Sequence, residues 1–98
     1  MTEPDVEALL VATFTGESLE RARQLMAAFE KGAVANAQGE TRIPYAVIKI
    51  ANGDADVLAE ATQHAERDWR DTLMWADFGE PEAHLAWARR VLAHTSGA

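Results

Sequence analysis

Positions Val6, Leu9, Leu10, Thr13 and Phe14 follow the i, i+3, i+4, i+7 spacing of one helix face. The pattern predicts a first helix from about Pro4 to Phe14. Pro4 suits the first turn, where its missing N–H is no loss. Glu3, Asp5 and Glu7 stand where the helix dipole favours negative charge. The stretch "TFTGES" interrupts the pattern, with Thr15 or Ser18 as a cap for the next helix. That second helix is expected over about Glu17 to Val34. It turns Leu19, Ala22, Leu25, Met26, Phe29 and Ala33 inward and spaces Glu17 and Arg21 for an i,i+4 pair. Gly32, Asn36 and Gly39 weaken helix beyond it.

"IPYAVIKI" (Ile43 to Ile50) is written in strand-favouring letters. As a strand it would place Ile43, Tyr45, Val47 and Lys49 on one face and Pro44, Ala46, Ile48 and Ile50 on the other. That alternation separates no apolar face from a polar one. As a helix it groups Ile43, Val47, Ile50 and Ala51, with Tyr45 and Ile48 flanking a second side. Thr41 is then an N-cap, Pro44 a first-turn residue and Gly53 the stop. No other segment reads as a strand, and an unpaired strand leaves buried backbone groups unsatisfied unless a second copy pairs with it. The expectation is a short, buried central helix.

Asp54 or Asp56 opens the long segment "ADVLAEATQHAERDWRDTLMWADF". Leu58, Ala61, Ala65, Trp69, Thr72 and Ala76 share one face, opposite Glu60, His64 and Arg67. Past Asp71 the pattern fails: Met74, Trp75 and Phe78 make the helix apolar nearly all round. Three explanations fit. The helix breaks near Arg67–Asp68, with Asp68 as a new N-cap and Asp71 in the first turn. Otherwise other helices wrap its last turns, or it forms a subunit interface. Gly79 and Pro81 punctuate the start of a last helix. Its stripe is Leu85, Ala88 and Leu92, widened by Trp87 and Val91. Arg89, Arg90 and His94 suit its negative pole. Thr95 to Ala98 are expected to be disordered. The patterns together predict an all-α fold, a bundle-like or orthogonal array of four to five helices. It forms one domain over residues 1–98, with an ordered core over about 4–94.

Charge narrows the partners. Sixteen acidic residues against nine Lys and Arg leave a net charge of −7. That disfavours nucleic acid and anionic membrane surfaces, and is compatible with a soluble protein or with one that meets a basic partner. The absence of Cys removes disulfides and thiolate metal sites. The acidic opening "MTEPDVEALL" lacks the positive region of a signal peptide, and no apolar run approaches the ~20 residues of a membrane span. A cytoplasmic location is the expectation.

Few residues suggest chemistry. Glu60, His64 and Asp68, at i, i+4 and i+8, with Asp71 nearby, have ligand types suited to a divalent metal. The plainer reading is a solvated face with Glu66–Arg70 and Arg67–Asp71 pairs, so no metal is assigned. His84 could serve as a general base or simply begin a helix. No nucleophile elbow, Cys nucleophile or phosphate loop is present, so no catalytic residue or cofactor is expected. The most distinctive cluster is "RDWRD" (Arg67 to Asp71). Trp69 there serves as a core anchor or as a partner contact, with Arg70 able to stack on it.

The stretch "RIPYAVIKIANGDADVLAEATQHAERDWRDTLMWADFG" resembles a group of small bacterial all-helical proteins. They share an "AxxKxAxGD" stretch, then a helix carrying "DWRD" and "AxxG". The resemblance spans about the middle third of the chain. It implies helix for Arg42–Asn52 and carries over no functional residue.

The leading expectation is a non-enzymatic interaction or structural module that self-associates as a homodimer. Trp69, Arg70, Met74, Trp75, Phe78 and Trp87 are its interface candidates. The alternatives are a small metal-binding or hydrolytic domain on Glu60, His64 and Asp68, with His84, and an acidic, antitoxin-like regulator of a basic protein.

Overall fold

The structure, a computed structural model, describes residues 6–30, 42–78, 80 and 82–96. Six helices are present among them: α1 (Val6–Thr13), α2 (Gly16–Glu30), α3 (Arg42–Ala51), α4 (Ala55–Arg67), α5 (Trp69–Trp75) and α6 (Ala83–Ser96). The fold is all-α, and no strand occurs among the described residues. The expected four to five helices become six because the segment after Asp54 is two helices. Helix α6 also runs through Ser96, past the disorder expected from Thr95. The roles assigned to Glu3, Pro4, Asp5, Gly32, Ala33, Val34, Asn36, Gly39, Thr41, Gly79, Pro81, Gly97, Ala98 and the His94 side chain lie outside the described residues.

Helix α3 is the strand-like stretch. Every residue from Ile43 to Ile48 is buried, including Pro44 and Tyr45. A helix this apolar all round needs neighbours on every side, and α1, α4, α5 and α6 all pack against it. Helix α2 lies outside this shell, against α1 and α4, and buries Ala22, Met26 and Phe29. Ala22, Ala46, Ala61, Ala65 and Ala88 are fully buried. Such small side chains let neighbouring helix backbones approach closely. Larger residues fill the spaces between: Leu9, Phe14, Tyr45, Leu58 and Phe78 are each 1% exposed or less. Burying one such side chain contributes about 1.5–3 kcal/mol.

The connections follow local chemistry. Asp54 caps α4, its side chain accepting from the N–H groups of Asp56 and Val57. The α3–α4 turn passes through Asn52 (φ 48°) and Gly53 (φ 88°). A Cβ on Gly53 would lie 2.8 Å from the Thr13 carbonyl oxygen, so only glycine lets this turn press against the end of α1. Thr15, rather than Ser18, occupies the position before α2, and its carbonyl accepts from Leu19 N–H. The expected Glu17–Arg21 pair does not form. Arg21 instead pairs with Asp56, at the start of α4, because the α2–α4 contact brings that carboxylate within reach.

Candidate functional site

The division between α4 and α5 shapes the exposed chemistry. Asp68 is at once the C-cap of α4 and the N-cap of α5. Its backbone leaves helix (φ −154°, ψ 84°), its N–H donates to His64 O, and its carboxylate accepts from Asp71 N–H at 3.2 Å. The chain turns at this point, so the i,i+4 geometry expected across it is lost. The Glu66–Arg70 and Arg67–Asp71 pairs are accordingly not made. Asp71 instead meets His64 Nε2 at 2.7 Å, and Arg70 lies over the Trp69 ring, 5.2 Å from its centroid.

Helix α5 turns Thr72 and Leu73 into the core. Its other face carries Met74, 76% exposed, and Trp75, 53% exposed. With Val11 they are the only large hydrophobic residues exposed among those described. The His64 ring stands edge-on to Trp75 at 5.6 Å, so the indole has a fixed neighbour as well as an open face.

The six interface candidates therefore separate. Arg70, Met74 and Trp75 lie on the surface, with half-buried Trp69 beneath Arg70. Phe78 does not belong with them. It is 1% exposed and packs in the protein's own core against Trp87 and His84. Trp87 is half-buried, edge-on to Tyr45 and tilted against Phe78. The sequence pattern had joined Phe78 to Met74 and Trp75 by treating Leu73–Phe78 as one continuous helix. The helix ends at Trp75, and the turn after it sends Phe78 inward.

That turn is a Schellman closure. Phe78 N–H donates to Leu73 O and Asp77 N–H to Met74 O, with Asp77 in the left-handed region (φ 63°) usually held by glycine. Two cations on α3 complete it. Arg42 Nη2 donates to Phe78 O and Lys49 Nζ to Ala76 O, each at 2.7 Å. Residues 42 and 49 are two helical turns apart and so share a face of α3.

The metal candidates do not assemble. Glu60 is exposed, Asp68 is committed to capping and His64 to Asp71. No group of three or more His, Asp or Glu side chains among the described residues is placed to hold a metal ion. His84 is 9% exposed, its ring edge-on to Tyr45 at 5.6 Å and to Phe78 at 6.2 Å. Its Nδ1 is buried without a hydrogen-bond partner. Burial lowers its pKa from the ordinary histidine value, and the nearby Arg42 charge lowers it further, against a smaller upward pull from Glu82.

Beside the Schellman turn, an open groove of about 730 Å³ runs along α6. Phe78, Trp87, Ala83 and Ala86 supply its apolar lining; Asp77, Glu80 and Glu82 supply carboxylates; Lys49 and Arg90 supply cations. A second hollow of about 490 Å³ shares Trp87 and Arg90 and adds Val91 and Ala93. The sequence reading did not anticipate this groove, because residues from α3, the turn and α6 build it together. Comparison with protein-family models, curated proteins and solved structures yields no match.

Proposed function

We propose that this protein is a non-enzymatic interaction module that self-associates through the outer face of α5. The exposed pair Met74 and Trp75 carries the reading. A core-building helix has no need of a largely bare methionine beside a half-exposed tryptophan. Trp and Arg are enriched where interfaces concentrate their energy, and Met adapts to irregular partner surfaces. Arg70, Trp75 and Met74 bring all three types to one short helix. The tryptophan is also partly pre-positioned by His64, which lowers the ordering cost of binding. No arrangement of nucleophile and base accompanies it among the described residues.

Sedimentation velocity at micromolar concentration tests the reading. The expected result is a concentration-dependent dimer that Met74→Ser with Trp75→Ser converts to monomer, with far-UV circular dichroism unchanged. A wild-type chain that stays monomeric across this range overturns self-association.

A further inference from the structure

We propose that the groove lined by Asp77, Phe78, Glu80, Glu82 and α6 takes an arginine or lysine side chain from a basic segment of a partner protein. This does not depend on the α5 reading, since the two surfaces share no residue.

The first observation is unspent negative charge. Asp56, Glu7, Glu20 and Asp71 all find cationic or histidine partners. Asp77, Glu80 and Glu82, which line the groove, make no ion pair among the described residues. The second is what the groove already does to a cation. Lys49 Nζ donates to Ala76 O at 2.7 Å and lies 5.0 Å from the Phe78 ring centroid. The end of α5 and an aromatic face together hold an ammonium there, as the negative end of a helix and the negative face of a ring should. The third is Trp87, half-buried and lining both hollows. Indole is the aromatic ring that attracts cations most strongly. An incoming guanidinium or ammonium would thus find carboxylates for its charge and an indole for its face.

The occupant is a peptide segment because the site does not stop at the charge. The adjoining hollow, with Val91 and Ala93, is mostly apolar and offers a place for a hydrophobic neighbour of the basic residue. The chain's net charge of −7 steers such a segment inward. Arg90 works against it: this cation lines both hollows. Its removal should therefore tighten binding, the opposite of what a groove for anions predicts.

A blocked peptide of alternating arginine and leucine is the probe, with glutamate replacing arginine in the control peptide. Titration calorimetry gives affinity, and amide and indole chemical shifts locate the contact. The arginine peptide should bind and shift resonances across 77–90, Trp87 among them, while the glutamate peptide does not. Glu80→Gln with Glu82→Gln should weaken binding about tenfold, the sum of two exposed charge contacts. Arg90→Gln should tighten it by about threefold. Glu60→Gln with Glu66→Gln, the same charge change on the exposed face of α4, should alter it by less than about twofold. Met74→Ser with Trp75→Ser should leave it unchanged. The proposal is overturned if the arginine peptide does not bind, if the α4 pair costs as much as the groove pair, if Arg90→Gln weakens binding, or if the shifts centre on α5.

Discussion

Gly53 carries two constraints at once. Its φ of 88° is costly for any side chain, and a Cβ there would sit 2.8 Å from the Thr13 carbonyl. Backbone on that side cannot give way as a flexible side chain would. Gly53→Ala is therefore expected to cost about 2 kcal/mol or more, read as a lower midpoint in urea unfolding. His84 imposes a condition of a different kind. Its ring is buried against Tyr45 and Phe78, and burial holds its pKa below the ordinary histidine value. The unfolded chain then binds a proton at a higher pH than the folded one does. Stability is full above the unfolded value, about 6.5, and falls as pH drops from there towards the lower folded pKa. Urea midpoints measured from about pH 7.5 to about pH 5 should show this loss, and His84→Phe should flatten it. An unchanged slope in that variant would assign the loss to other groups.

At the level of elements, Asp68 makes α4 and α5 two helices. It accepts Asp71 N–H while its own N–H and carbonyl serve the two helix ends. Asp68→Ala should cost about 1 kcal/mol, the usual loss for an N-cap side chain. Asp54→Ala, which removes a comparable cap at the start of α4, is the natural comparison. Both losses should be seen in urea unfolding. If Asp68→Ala cost nothing, the break would belong to packing alone. The sequence reading weighed this break against wrapping and against an interface. The structure shows the break at Asp68 and, in the buried Phe78, part of the wrapping; it leaves Met74 and Trp75 outside. Hydrophobic periodicity could not apportion them, because it assigns faces only while the helix continues. The α5 terminus is held from outside by Arg42 and Lys49 of α3. Those residues are distant in sequence, so no local pattern announced them.

For the whole molecule, the Cα radius of gyration of 12.3 Å is close to the ~12.6 Å expected of a folded domain of this length. Burial around α3, more than surface charge, should hold it together. The pairs Arg21–Asp56 and Arg23–Glu7 join helices, yet all four side chains are at least 41% exposed. Exposed pairs of this kind contribute little. Asp56→Ala is accordingly expected to change stability by less than about 0.5 kcal/mol, and salt should shrink even that. A larger loss in urea unfolding would show that the α2–α4 contact depends on charge.

The amino-acid order by itself pointed to an all-α fold, to Asp54 or Asp56 as the cap of α4, to Asp68 as a cap should the long segment break, and to a buried α3, of which Ile43 to Ile48 are buried. These follow from side-chain periodicity, from capping chemistry and from the cost of an unpaired strand, all of which act within a few residues. Only the tertiary structure decided which apolar residues past Asp71 are core and which are surface. It also decided that Arg21 reaches Asp56 instead of Glu17, and that Lys49, Phe78, Glu80, Glu82 and Trp87 come together in one groove. Those outcomes depend on where helices far apart in the chain meet. A periodic pattern gives each helix its inner face and is silent on which neighbour that face will find.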